Sequence, residues 1–461
     1  MLFEKIKSAG IAHISYLIGD GNEAVVIDPR RDIDIYLEKA VEEGYKISKI
    51  FETHRNEDYI IGSNELKART GAEIWHADEM LDYQYGKAVK DGQEFKVGNL
   101  KIEAMHTPGH TPGSMSYVLY GYEGEAWMVF TGDALFAGDV GRIDFLGEEN
   151  LEKTGSWLYD SIFNKILPLG DEVILCPAHG AGSVCASAIA EREWTTIGIE
   201  KKLNPKLQVE NKEEFIELVG EMLEYPPYFE NMEESNLTGR ELLAHYEKPA
   251  ALAADEFSEA MENDDTYIVD VRMEGSYASA HLPGSISIPL KNIPSFIGWF
   301  VPVGAKIMLV TEGEYPAEAI RHLYRTGYDN ILGYLRGGMI SWHMAGKKSL
   351  SIDTVTVDKL CRLLDDEPED WFILDIRSED ELESEGEIKN AENIHLTQLA
   401  EHYNELPQNK PLYIFCGSGL RSMIAASLLQ NEGFNNQRVV LGGLIAWNST
   451  SCPIVGNEVD Y

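Results

Sequence analysis

The chain has 461 residues, 44% of them hydrophobic, with 77 acidic against 39 basic side chains and a net charge of −38. This length suggests about three domains with cores of their own, and the negative charge excludes nucleic acid and anionic membrane surfaces as partners. Five cysteines, an odd number over so long a chain, argue against a disulfide framework and for a reducing cytoplasm.

The first residues, MLFEKIKSAG, lack the apolar core of a signal peptide, and no apolar run approaches the ~18 residues of a membrane span. Residues 1–190 then read as short strands at Gly-rich turns, among them ISYLIG, EAVVIDP, ISKIFET, LKIEAMH and EVILCPAH. Helical patterns such as RDIDIYLEKAVEEG interleave with them, which predicts a layered α/β domain. Residues 191–248 turn helical and charged and predict an arm, with one helix through EEFIELVGEMLEY stopped by Pro226 and Pro227. A repeat follows at roughly 105 residues, right for two tandem domains and too long for a solenoid. YIVDVRMEGSYASAHLPGSISIPL in residues 249–348 is echoed by WFILDIRSEDELESEGEIKNAENIHL in residues 353–457. Each copy closes on Gly-Gly and a Trp, and strands alternating with helices predict a parallel sheet in each.

Four segments of the first domain fall at strand ends, where loops bring ligands together: THRNEDY (53–59), MHTPGHTPGS (105–114), FTGDALFAGDVGR (130–142) and CPAHGAGS (176–183). In this order they resemble the metallo-β-lactamase superfamily, which implies an αββα sandwich over residues 1–190. The dinuclear zinc hydrolases of that superfamily need imidazoles at positions 56 and 59, where this chain has Asn56 and Tyr59. An amide is a poor zinc ligand and a phenol must first ionise. His54, His110 and Asp133 survive, and two imidazoles with one carboxylate make the non-haem Fe(II) arrangement for O2 chemistry. The triad and GDVGRIDF (138–145) resemble the persulfide dioxygenases, which implies one Fe(II) per chain and places Arg142 at the rim of the site to meet substrate. Asn56 departs from the His usual in those enzymes. Asn56, Asp58, Tyr59 and His179 are expected around the ligands, Asp58 as a hydrogen-bonding carboxylate. His106 reads as structural, and His13 and His76 as surface or core residues.

In the last domain, PLYIFCGSGLRSMIAASLL (411–429) is a strand, Cys416, a tight loop and a helix that begins near Arg421. Gly417, Ser418 and Gly419 turn backbone N–H groups towards the sulfur, and the helix N-terminus adds positive potential. Both favour a thiolate and would hold an anionic persulfide, while Arg421 meets an oxyanion. The loop resembles the active loop of the rhodaneses; related phosphatases have one residue more. In the middle copy Thr311 takes the nucleophile position, no Arg follows at the same offset, and Glu312 and Glu314 repel anions, so that copy reads as non-catalytic. Cys361 reads as packing, Cys452 as structural and Cys176 as buried. Cys185, beyond the metal loop, reads as packing or as an acceptor of sulfane sulfur.

Together these features resemble the fused persulfide dioxygenase–sulfurtransferases of bacterial sulfide detoxification. The resemblance implies that a low-molecular-weight thiol persulfide and O2 give sulfite at the iron, and that Cys416 exchanges sulfane sulfur between persulfide, sulfite and thiosulfate. A cytoplasmic enzyme without nucleic-acid or membrane partners is expected, and the dimers common among relatives leave a homo-oligomer open. Two alternatives stay open: a zinc-dependent thioester hydrolase with a sulfurtransferase domain, and a sulfur carrier whose metal domain is inactive.

Overall fold

Runs such as HISYLIGD (His13–Asp20) and MSYVLY (Met115–Tyr120) are buried along almost their whole length. Strands with both faces covered have this character, and the computed structural model shows what covers them. It describes residues 1–77, 81–183, 185, 186, 188–263, 265–364, 370–452, 454 and 455. They fall into two units, Met1–Tyr246 with Arg321–Asp329, and Glu247–Ile320 with the described residues from Asn330 on. Positions 456 and 457, the end of the expected last domain, lie outside the described residues.

The first unit holds two six-stranded sheets. The first runs in chain order from Leu2–Ser8 through His13–Asp20, Glu23–Ile27, Lys46–Phe51 and Glu73–His76 to Lys87–Ala88. The second runs in reverse chain order from Thr195–Thr196 through Ile174–Pro177, Ala126–Gly132, Met115–Tyr120 and Leu100–His106 to Glu94–Val97. Their inner faces share one core, in which Tyr16, Val25 and Phe51 join Ile102, Tyr117 and Phe130. Helix Asp34–Glu42 lays Tyr36 against Leu17, Val26 and Ile50 of the first sheet. Helices Leu151–Ser161 and Lys212–Val219 lay Leu158 and Phe215 against Val129 of the second. The result is the αββα sandwich, with the ends of Lys46–Phe51, Ala126–Gly132 and Ile174–Pro177 feeding the loops that carry the site.

The arm differs from its predicted pattern. Helix Lys212–Val219 stops at Gly220, and residues 221–225 are irregular. Tertiary bonds replace helical ones there: Leu223 N–H donates to Asp144 (2.9 Å), and the carbonyls of Leu223 and Glu224 accept from Arg142 (3.1 and 3.2 Å).

The second unit holds two five-stranded parallel sheets of one topology. One runs Ala250–Leu252, Ile331–Leu335, Lys306–Val310, Thr266–Asp270, Ser285–Ser287. The other runs Asp353–Thr356, Gln437–Leu441, Leu412–Phe415, Phe372–Asp375, Ala391–Asn393. Helix Leu420–Asn431 is apolar on nearly every face because it is buried on nearly every face. Tyr277 and Ala278 of the middle repeat join its core, Ser287 N–H donates to Ser427 Oγ (3.1 Å), and His281 Nε2 lies 2.6 Å from Gln430 Oε1.

One expectation about the cysteines is corrected. Cys361 and Cys452, expected to be separate thiols, form a disulfide. Helix Val357–Leu363 packs beside helix Gly443–Trp447, and Cys452 follows the latter, so thiols 91 residues apart meet. Cys176, Cys185 and Cys416 are free and buried. Among the described residues no helix is long and apolar enough to cross a membrane.

Candidate functional site

The loop after strand Lys46–Phe51 is tied down at its first residue. Thr53 N–H and Oγ1 both donate to the buried Asp28 carboxylate at 2.8 Å. With its proton on Asp28, Thr53 Oγ1 accepts from His54 Nδ1 at 2.8 Å, which leaves His54 Nε2 bare. His110 is fixed in the same sense: its Nδ1 donates to the Arg142 carbonyl at 2.9 Å, and its Nε2 is bare. Orienting a ligand imidazole through its other nitrogen is the usual outer arrangement of a metal site. Asp133 follows strand Ala126–Gly132, and Gly132 permits the turn with φ +55°; a Cβ there would lie 2.7 Å from Thr53.

These three residues converge. Asp133 Oδ2 lies 3.7 Å from His54 Nε2 and 3.5 Å from His110 Nε2, and all three side chains are buried. Two donor atoms each ~2.1 Å from one cation lie about 3.0–3.5 Å apart; the His110 spacing meets this and the His54 spacing is slightly wider. Buried imidazole nitrogens without hydrogen bonds are costly, and a metal would satisfy them. Burial opposes ionisation of Asp133, but His179 and then His54 hold its carboxyl well below the usual range. Burial pushes the His54 imidazole down, against Asp133. These two directions favour the ligating forms, whereas, against its burial, Glu57 and then Asp133 raise the His110 imidazole.

Around the triad the structure redistributes the expected roles. His179 Nδ1 donates to Asp133 at 2.8 Å, and its Nε2 sits 3.0 Å from Asp58 Oδ2. Despite burial, Asp133 and Asp58 raise the His179 pKa well above its ordinary value. Asn56 Nδ2 turns back to the His54 carbonyl at 3.3 Å. Tyr59 is buried with its ring 4.1 Å from that of His13, and burial with Asp28 pushes its phenol well above the ordinary value, so it offers no phenolate. Cys185 Sγ clusters with Asp58 and His179 and with His110 and Asp133, all within 4.8 Å of one another in each group. Burial and then Asp58 raise its thiol well above the ordinary value. His106 is structural, its Nε2 3.0 Å from the Pro112 carbonyl, and His76 stacks on Tyr83.

Arg142, expected at the rim of the site, is buried with its guanidinium on Asp144 (2.7 Å through both Nε and Nη2) and the two arm carbonyls, while its backbone carbonyl orients His110. His13, read as surface or core, is a core residue whose strand bridges His179, a pairing that only the sheet topology reveals. One residue beside the triad went unread in the sequence. Glu57, inside the metal loop itself, is fully buried with Oε2 3.7 Å from His110 Nε2. An acidic residue between Asn56 and Asp58 was the available signal.

The second site lies at the end of strand Leu412–Phe415. Cys416 Sγ accepts from Gly419 N–H at 3.0 Å, and the carbonyls of Cys416 and Gly417 accept from Leu444 and Ile445 (2.9 and 3.0 Å). Cys416 and Gly419 are buried, Gly417 is half-buried and Ser418 is exposed. Arg421 does not stand alone: both its terminal nitrogens donate to Glu381 (2.6 and 2.5 Å). Glu381 also accepts from Ser378 N–H as it caps helix Glu379–Glu385. Sequence reading missed it because it lies 40 residues upstream of Arg421.

Comparison with known proteins agrees with this architecture. Residues 11–179 match the metallo-beta-lactamase superfamily, and residues 253–345 and 356–450 each match the rhodanese-like domain. Human mitochondrial persulfide dioxygenase ETHE1 is 31% identical over 215 residues, 45% of this chain and 76% of that protein. Hydroxyacylglutathione hydrolase GloC of Haemophilus influenzae is 29% identical over 216 residues, 42% of this chain and 91% of that protein. The crystal structure of a metallo-beta-lactamase from Staphylococcus aureus is 32% identical, with a TM-score of 0.64 over 73% of this chain and 98% of that one. The chain belongs to the metallo-beta-lactamase superfamily. Behind that metal-binding fold it carries two rhodanese-like domains.

Proposed function

We propose that the first unit is a persulfide dioxygenase with one Fe(II) held by His54, His110 and Asp133, and that the last domain transfers sulfane sulfur through Cys416. The observation that carries the first half is the convergence of two bare imidazole nitrogens and one carboxylate oxygen in a buried site. Two imidazoles and a carboxylate suit Fe(II) with open positions, where the metal supplies O2 activation and a site for a persulfide sulfur. The likeness to a persulfide dioxygenase supports the substrate class. Overall, RSSH + O2 + H2O gives RSH, sulfite and two protons. His179, placed between Asp133 and Asp58, is positioned to take up or hand on one of these protons. Thr53 and the Arg142 carbonyl keep the imidazoles oriented, and burial excludes bulk water.

The hydrolase likeness raises the alternative of a two-ion thioester hydrolase. Two features count against it. Tyr59 is turned to His13 as a neutral phenol, and His179 has carboxylates at both nitrogens. In the last domain Cys416 attacks the outer sulfur of thiosulfate, the S–S bond breaks, sulfite leaves, and Cys416 keeps the persulfide for a second acceptor. Loaded instead from a thiol persulfide, whose S–S bond breaks to release the thiol, Cys416 hands the sulfane sulfur to sulfite made in the first unit, which gives thiosulfate and frees the cysteine.

The test is anaerobic purification with metal analysis, then O2 uptake on adding glutathione persulfide. About one iron per chain, with uptake abolished in His110→Ala, is the expected result. Zinc in place of iron, or no uptake with any thiol persulfide, overturns the dioxygenase.

A further inference from the structure

Glu57 is a buried carboxylate with no role in the reading above. Its Oε1 lies 3.5 Å from Arg55 Nη2, while Oε2 makes no hydrogen bond. Oε2 is 3.7 Å from His110 Nε2, beyond a hydrogen bond, and it groups with His54 within 4.8 Å. Three bare atoms, His54 Nε2, His110 Nε2 and Glu57 Oε2, therefore face one another, with Asp133 Oδ2 on the same two imidazoles. The Glu57–His110 spacing matches the wider of the two Asp133–His spacings.

The backbone aims Glu57 inward. Asn236, on helix Phe229–Thr238 of the arm, donates to the carbonyls of Asn56 (2.7 Å) and Tyr59 (2.8 Å) and accepts from Ile61 N–H (3.0 Å). It thereby clamps the loop on both sides of Glu57 and Asp58. Asn56 has withdrawn to the His54 carbonyl and leaves its position without an imidazole. Charge favours the same outcome. A divalent ion with Asp133 alone would leave a net buried positive charge, which low-polarity surroundings penalise, and a second carboxylate brings the pair to neutrality.

We propose that Glu57 is a fourth protein ligand, so that the ion sits in a two-histidine, two-carboxylate set. Such a set favours ions that accept hard oxygen donors, Fe(II) or Mn(II), over ions that prefer soft ligands. It also leaves fewer open positions than a triad, so substrate and O2 compete for less of the ion. This inference rests on the metal site proposed above, but its test does not depend on turnover.

The full-length chain is stripped of metal and titrated anaerobically with Co(II), without persulfide. Visible ligand-field bands and affinity are read for wild type, Glu57→Gln, Glu57→Ala and the control His110→Ala. The expected result is that both Glu57 variants shift the bands and bind Co(II) about 10–100-fold more weakly, with far-UV circular dichroism unchanged. Glu57→Gln keeps the volume of the side chain and so reports on ligation if Glu57→Ala misfolds. Bands and affinity unchanged in Glu57→Gln overturn the proposal. Weaker binding with unchanged bands also overturns it, because Glu57 then acts through charge alone. Wild type that binds Co(II) through Glu57 but takes up no O2 when loaded with iron refutes the dioxygenase and leaves the fourth ligand standing.

Discussion

The two rhodanese-like repeats share a skeleton and differ in one loop. Asp270 with Arg272 and Asp375 with Arg377 form matching buried bidentate pairs, with shortest bonds of 2.6 and 2.7 Å. In each repeat the second glycine of the twin presses on the residue that follows the central strand. A Cβ on Gly443 would lie 2.1 Å from the Cys416 carbonyl, and one on Gly338 2.7 Å from that of Thr311. Both twins have positive φ. These elements are required by the packing of the strand end, whether a Cys or a Thr stands there. Even the turn is partly kept: Thr311 Oγ1 accepts from Gly313 N–H at 3.0 Å, as Cys416 Sγ accepts from Gly419. But Thr311 donates its proton to the Glu314 carbonyl (2.9 Å), and Pro316 stands where the other copy has Arg421. Asp-x-Arg and Gly-Gly therefore mark the fold, while the proposed chemistry depends on Cys416–Arg421.

The comparison breaks first at the nucleophile. Cys416→Ser is expected to lower thiosulfate-to-cyanide sulfur transfer by more than ~10³-fold and to leave O2 uptake intact. Thr311→Cys in that background should restore none of it, because no guanidinium follows; any restored transfer would place the chemistry in the skeleton after all. The next effect should be equal in the two copies. Truncating one partner of a buried ion pair costs about 3–5 kcal/mol, so Asp375→Ala and Asp270→Ala should shift urea unfolding of the second unit by similar amounts. A neutral Asp270→Ala would show that the middle skeleton is no longer under the same packing demand. Smaller again is the glycine contact. Gly443→Ala and Gly338→Ala should each destabilise by about 1–3 kcal/mol, but only Gly443→Ala should also slow sulfur transfer.

The same contrast explains what could be read from the sequence. Period and punctuation exposed both parallel sheets and a layered α/β first domain, because each is built from contiguous strands whose burial shows in composition, whereas the αββα sandwich was implied by the resemblance of the loop motifs. His54, His110, Asp133 and Cys416 were legible because each lies in the loop after a strand, within a recognisable run. What stayed hidden is held by partners distant in the chain. Cys361 and Cys452 meet across 91 residues. The hold of Asp144 and the arm carbonyls on the Arg142 guanidinium was likewise not visible in the sequence. Asn236 clamps the metal loop from about 180 residues downstream. Helix EEFIELVGEMLEY was overextended because local pattern does not register that Gly220 yields to tertiary hydrogen bonds.

Glu381 gives the smallest effect and the finest test of the comparison. It stands six residues after Asp375, and the equivalent position after Asp270 is Ser276, so the carboxylate and the arginine are both missing from the middle copy. The two behave as one unit. Burial would raise the Glu381 carboxyl, but the Arg421 guanidinium and the Ser378 N–H bring it down from 4.5 to about 2. Since the folded value lies below the unfolded one, the pair adds stability that is complete above about pH 4.5 and is lost as pH falls through about 2. The stability difference between wild type and Glu381→Gln, from urea titrations at fixed pH, should therefore be constant above pH 5 and shrink below 4.5. It should stay under about 1 kcal/mol because solvent reaches the pair. At neutral pH the same variant frees Arg421 from its counter-charge. KM for thiosulfate should then fall a few-fold with kcat little changed, because the gained attraction acts on the anion before the S–S bond breaks. An unchanged KM would assign Glu381 and Arg421 to holding the loop alone, and the two copies would then differ in chemistry by the cysteine only.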